Sequence, residues 1–231
     1  MIFYNGKSSD DLRLVVEQYP ERPIPKRKTE KWSVPGRSGD VIAAADAWEN
    51  VTMGYEVYLS AERQRLPAVA DKVIEWLSAP GYHELADDYD AECFRMATFI
   101  GDASIKNYAN LFGRFRLEFD CWPQRFLASG AEAVSVAQGG VLVNPSIYPA
   151  EPLIVVRGSG AGTLTVNGTS IALADCNNVT LDCRDRECYR GVSNLNTSVT
   201  GSYPKLTAGA NPIQWSGGIT AVSIKPRWWV L

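Results

Sequence analysis

The side chains best suited to chemistry are few. His83 is the single histidine among 231 residues, so a Ser-His-Asp triad or a Cys-His dyad would have to be built on it. It stands in Pro80-Gly81-Tyr82-His83-Glu84 with no G-x-S-x-G nucleophile motif, which marks a loop histidine without a catalytic role. The acidic run Glu84, Asp87, Asp88, Asp90 and Glu92 could offer oxygen ligands to calcium or a carboxylate pair for glycoside cleavage. It lacks the central glycine of an EF-hand loop, and only separation in space identifies a glycosidase pair, so it reads as a solvated turn between a helix and a strand. Cys176, Cys183 and Cys188 do not match the paired CxxC spacing of zinc sites. Five cysteines are an odd number in a chain whose start, Met1 to Gly6, has no export signal, so the thiols read as reduced. Gly36-Arg37-Ser38-Gly39 lacks the GxxxxGK[ST] pattern of a phosphate loop and reads as a turn after Pro35 between two extended pieces. No catalytic residue, cofactor or metal is expected, and the chain reads as a non-enzyme.

Binding chemistry is only slightly better represented. Arg22, Lys26, Arg27, Lys28 and Lys31 form a basic stretch tempered by Glu21 and Glu30. A net charge of -3 and a pI near 5.3 oppose a nucleic-acid interface, which leaves a solvated or subunit-bridging arm. Ten Tyr, seven Trp and seven Phe suit β-rich packing or large interfaces. Trp215, Trp228 and Trp229 could line a sugar-binding surface or equally fill a core. No apolar run approaches the length of a membrane span, so no membrane partner is expected, and the protein is expected to be made in the cytosol and remain soluble.

These residues must be carried by elements that the spacing outlines. Charged residues crowd into the first 125 positions and thin out after about residue 126, where Ala128-Ser129-Gly130-Ala131 and Gln138-Gly139-Gly140 supply small, polar linker residues. Two domains follow, 1–128 and 129–231. In the first, Leu12 to Val16 reads as a strand, and Tyr19 to Lys31, with three prolines, as an extended arm or loop. Met53, Tyr55, Val57 and Leu59 alternate along one face of a strand. Val69, Val73 and Leu77 recur at helical spacing after Pro67, predicting a helix from about 67 to 78, stopped by Pro80-Gly81. Glu92 to Ile100 and Leu111 to Trp122 complete an α+β domain with one main helix. The second domain reads as short strands, 153–156, 163–166, 170–173, 179–181, 213–215 and 219–224, the pattern of a sandwich. Asn167-Gly168 predicts a type I′ hairpin, because both central positions need positive φ.

Taken in order, the motifs resemble a known family. Trp32-Ser33-Val34-Pro35-Gly36-Arg37-Ser38-Gly39-Asp40, followed by the strand through Tyr55, Val57 and Tyr58, looks like the start of the distal tail proteins of long-tailed bacteriophages. Pro149 to Gly158, the Leu164 to Gly168 hairpin, Gly201 to Leu206, Gly209 to Ile213 and the ending Pro226-Arg227-Trp228 are similar too, so the likeness runs nearly end to end. The resemblance implies a mainly β protein: an N-terminal α+β domain that assembles into a hexameric ring, single or double, and a C-terminal galectin-like β-sandwich. It implies a hub at the distal end of the virion tail, assembled in the bacterial host cytoplasm. The hub would join the major tail tube protein to the tail-tip protein and to receptor-binding or baseplate proteins, with DNA only passing through the lumen. The absence of a spare domain-sized segment implies the short form, which leaves host recognition to partners. The competing reading is a carbohydrate-binding module for host cell-wall polysaccharide. A cyclic ring needs two different complementary surfaces on each subunit. Pro23, Pro25, Trp32, Pro35, Gly36, Arg37 and Gly39 are the candidate subunit contacts.

Overall fold

The computed structural model describes residues 1–60, 66–101, 106–108 and 112–231. The chain is mainly β with one α-helix among the described residues, and it divides into two compact units, Met1–Arg125 with Leu231, and Phe126–Val230.

The strands of the first unit are β1 (Ile2–Tyr4), β2 (Lys7–Ser8), β3 (Leu14–Gln18), β4 (Arg27–Trp32), β5 (Val41–Trp48), β6 (Val51–Ser60), β7 (His83–Asp87), β8 (Cys93–Phe99), β9 (Lys106–Tyr108) and β10 (Phe112–Cys121). The helix α1 spans Leu66–Leu77. The main sheet is antiparallel in the order β2-β1-β7-β8-β10-β6-β3. Its inner face is the alternation read from the sequence: Tyr55, Val57 and Leu59 lie opposite Leu117, Phe115 and Gly113, and Met53 opposite Phe119. Leu66, Val73, Trp76 and Leu77 of α1 join that core. Trp76 donates its indole N–H to the Tyr4 carbonyl at 2.8 Å and meets the Tyr4 ring edge-on. On the other face Arg116 pairs with Glu56 and Glu118, and Arg114 with Glu17.

Two local readings are corrected. Leu12 belongs to a 3-10 turn, Asp10–Leu12, and β3 begins only at Leu14. Ser8, Ser9 and Asp11 side chains accept nearby backbone N–H groups, which favours a turn over a ladder, and Arg13 follows at φ 57°. The acidic run is only partly a turn: Glu84 and Asp87 lie on β7, whose Leu85 is buried and whose His83 pairs with Ala97. Leu111, where the sequence starts the last strand of this unit, lies outside the described residues.

After β11 (Arg125–Leu127), the second unit contains β12 (Val134–Val136), β13 (Val141–Asn144), β14 (Leu153–Val166), β15 (Thr169–Leu173), β16 (Val179–Asp182), β17 (Glu187–Arg190), β18 (Ser193–Asn194), β19 (Val199–Gly201), β20 (Gly209–Lys225) and β21 (Trp229–Val230). The runs 153–156 and 163–166 are one strand, as are 213–215 and 219–224, and β14 and β20 pair along their length with a bulge at Arg157–Gly162. Glycine there reads as a turn from sequence, yet it serves close backbone approach: a Cβ on Gly158 would lie 2.0 Å from the Gly218 carbonyl oxygen. One half of β14 pairs with β16 and the other with β15. These long, curled strands build the sandwich around Ile154, Val156, Leu164, Val166, Ile171, Leu181, Ile213 and Ile224. The Asn167-Gly168 hairpin forms as expected, with φ of 51° and 76°. The amide of Asn167 donates to Asn211, which is itself fully buried.

Candidate assembly surface

Residues 20–48 leave the main sheet of the first unit. Tyr19 anchors the base of this segment, its ring stacked on Tyr89 at 5.7 Å and its hydroxyl donating to Asp88. Burial first, and then the Asp88 hydrogen bond, push the Tyr19 hydroxyl up to about 12. Pro23 is half-buried, Pro25 is buried, and Ile24 between them is 90% exposed.

Beyond Lys26 the chain forms a two-stranded ribbon, β4 against β5, which is a separate sheet. The register places Trp32 opposite Val41, Lys31 opposite Ile42, Glu30 opposite Ala43 and Thr29 opposite Ala44, with a bulge between Arg27 and Thr29. At the base the Arg27 guanidinium lies 4.5 Å from the centre of the Trp48 ring, and Glu49 N–H donates to the Lys26 carbonyl at 2.8 Å. At the tip Arg37 N–H donates to the Val34 carbonyl at 3.1 Å, and Gly36 and Gly39 take φ of 80° and 84°. Both glycines therefore occupy backbone that side-chain-bearing residues rarely adopt. The ladder stops at Trp32 and Val41, and Pro35 in the turn beyond has no N–H with which to extend it.

Of the seven residues singled out from the sequence, Trp32, Pro35, Gly36, Arg37 and Gly39 gather at the distal end of this ribbon, all exposed. Pro23 and Pro25 are at its base and are not part of that cluster. Every residue of β4 is exposed, and Trp32, Val34 and Ile42 present apolar surface. A two-stranded ribbon is marginal alone in water, and an open edge carrying apolar residues is a template for pairing. This combination suits an assembly contact, with cationic groups at Lys26, Lys28, Lys31 and Arg37 beside it. The sequence marks the arm through its prolines. It hides that residues 27–32 are a strand, because four of the six residues are charged and no apolar alternation marks the pairing.

The other chemical candidates are spent on structure. His83 Nε2 contacts the Pro80 carbonyl at 3.0 Å, and its ring meets Tyr4 edge-on. All five cysteines are free thiols, and among the described residues no group of three or more His, Cys, Asp or Glu converges as metal ligands would. No described helix is long and apolar enough to cross a membrane. Of the three tryptophans considered for a sugar surface, Trp228 is core. Trp229 stacks on Tyr148 at 4.4 Å and donates to the Pro149 carbonyl, and the backbone of Trp215 is bound on both sides by Gln138.

The first unit is a helix-backed antiparallel sheet with a separate two-stranded ribbon, and the second a curled β-sandwich. The resemblance read from the sequence is thus borne out at the level of fold. Over 100% of this chain and 98% of the other, the structure matches the crystal structure of the Dit (gp 19.1) protein of phage SPP1, with a TM-score of 0.73 and 12% sequence identity. That protein is described as a paradigm of the hub adsorption apparatus in phages that infect Gram-positive bacteria. No family model and no curated protein matches the sequence.

Proposed function

We propose that this chain is a phage distal tail protein: a structural, non-catalytic hub that forms a hexameric ring, single or double. The ring joins the tail tube to the tail-tip and host-adhesion apparatus at the distal end of the virion tail. The observation that carries this reading is the likeness of fold to the SPP1 hub protein along both units. The free ribbon supports it, because a cyclic assembly needs a projecting surface that meets a different surface on the next subunit. In this reading residues 1–128 form the ring and residues 129–231 a galectin-like sandwich facing outwards. Trp32, Pro35, Gly36, Arg37 and Gly39 contact the neighbouring subunit, with Pro23 and Pro25 setting the angle of the arm. DNA passes through the lumen, and assembly takes place in the bacterial host cytoplasm.

Light scattering coupled to size exclusion tests the ring, with negative-stain images of the peak. The expected mass is six times 25.4 kDa or a multiple of it, with a central hole in the particles. The pair Trp32→Glu and Ile42→Lys should reduce the particle to monomer while leaving the thermal transition of the sandwich in place. A wild-type protein that stays monomeric, alone and with its tail tube partner, would overturn the proposal.

A further inference from the structure

The first unit holds a cavity of about 330 Å³ between the arm base and the sheet, and the ring reading has no use for it. Its apolar wall includes Met53, Leu85 and Phe94, with Pro20 and Pro23 on the arm side, beside several charged groups. Arg95 also lines it and is only 5% exposed. Nη1 of Arg95 donates to the Trp122 carbonyl at 3.1 Å and to the Pro123 carbonyl at 2.8 Å, which fixes the plane of the guanidinium. Nε and Nη2 make no hydrogen bond among the described residues, yet neither is sealed from solvent, so this edge opens to the cavity. No described carboxylate lies within ion-pair distance of Arg95.

The neighbouring charges are already committed. Asp90 takes both Arg125, at 2.8 Å, and Arg22, at 3.3 Å, and Arg125 also donates to the Leu231 oxygen. Asp87 accepts the Tyr55 hydroxyl at 2.8 Å and the backbone N–H groups of Tyr89 and Asp90. Of the three arginines around the cavity, Arg22 and Arg125 contact Asp90, whereas Arg95, the buried one, touches no carboxylate among the described residues. A buried cation with no carboxylate in contact is costly to keep, and burial pulls the Arg95 guanidinium below its ordinary range although the charge of Asp90 opposes it. The free Nε–Nη2 edge is the side-on fork that accepts a carboxylate through two parallel hydrogen bonds.

We propose that this cavity is a binding site for a single carboxylate carried on a small apolar body, with the carboxylate on Arg95 and the body among Met53, Leu85 and Phe94. The volume is at the lower end of small-molecule sites and equally admits one side chain. A free organic acid and a glutamate of a partner protein share this chemistry.

Isothermal titration of the full chain with benzoate and with N-acetyl-glutamate amide reads the site, with benzamide and N-acetyl-glutamine amide as neutral controls. One-to-one binding of an acid, weakened at least about tenfold in its neutral amide, supports the pocket. Preference for benzoate assigns a free acid, and preference for the glutamate derivative assigns a partner side chain. Arg95→Lys keeps the charge and removes the fork, so it should weaken binding by at least about tenfold. Ala86→Phe, which leaves Arg95 in place and fills the cavity, should abolish binding if the variant retains the wild-type thermal transition. Equal binding of acid and amide, absence of binding by both acids, or full binding by Ala86→Phe would overturn the assignment.

Discussion

Replacing Asp182 by alanine removes the carboxylate that ties the end of β16 to the segment before β21. Its two oxygens accept Arg227 Nη1 at 2.7 Å and Nη2 at 2.8 Å, and Oδ1 also accepts the N–H groups of Arg184 and Asp185. The pair is nearly enclosed, with side-chain exposures of 18% for Arg227 and 10% for Asp182. Breaking an enclosed pair from one side costs about 3–5 kcal/mol, because the remaining charge loses its partner without regaining water. The residual exposure places Asp182→Ala at the lower end, about 3 kcal/mol. At about 4 °C per kcal/mol for a domain of this size, the transition of the second unit should fall by roughly 12 °C in calorimetry. Asp182→Asn keeps an acceptor for the turn and should lose about half as much. Burial alone would raise the Asp182 carboxyl, but the Arg227 hydrogen bonds and charge, with the two turn N–H groups, outweigh it and hold the group below the usual carboxylate range. Its stabilisation is therefore complete above the unfolded value near 4 and is lost as pH falls through the lower folded value. The wild type should lose more stability than the alanine variant between about pH 4 and pH 2. A cost under about 1 kcal/mol, or a double-mutant cycle with Arg227→Met coupling by less than about 0.5 kcal/mol, would refute the reasoning.

Two further outcomes are expected. Burial, with nearby carboxylates adding to it, pushes the Cys93 thiol up to about 11 and the Cys183 thiol up to about 12. Burial likewise raises Cys121 to about 12, and it also raises Cys176 and Cys188. A thiol reagent at pH 8 should therefore react slowly with folded protein and titrate all five cysteines in denaturant, whereas a fast native thiol would contradict this packing. Alanine at Gly158 should prevent the β14–β20 pair from closing, since its Cβ would meet the Gly218 carbonyl, and lower soluble yield sharply. Alanine at Gly168, where φ is 76° but space is open, should cost only about 1 kcal/mol in chemical denaturation; equal costs at the two positions would show that the close approach is not what demands Gly158.

Local rules sufficed wherever a residue's conformation depends on its immediate neighbours. Asn167-Gly168 supports a hairpin in any context because both residues tolerate positive φ. Pro67 and Pro80-Gly81 bracket α1 by permitting and then blocking the helical backbone, and the alternation from Met53 to Leu59 assigns a buried face without reference to its partner. The order of such signals along the chain was enough for the distal tail resemblance, and hence for the fold.

Contacts distant in sequence were settled only by the tertiary structure. Glycines 158 to 162 look like a turn until β20 runs alongside and makes them a bulge in one long strand. His83 to Asp87 looks like a polar loop until β1 and β8 flank it and bury Leu85. The ribbon's separation from the main sheet, the pairing of Asp182 with Arg227, and the absence, among the described residues, of a carboxylate in contact with Arg95 depend on which strands are neighbours. Periodicity and turn chemistry act over a few residues, whereas pairing and charge compensation are set by the whole packed chain, and those are the properties that distinguish an assembly surface or a binding cavity from an ordinary polar stretch.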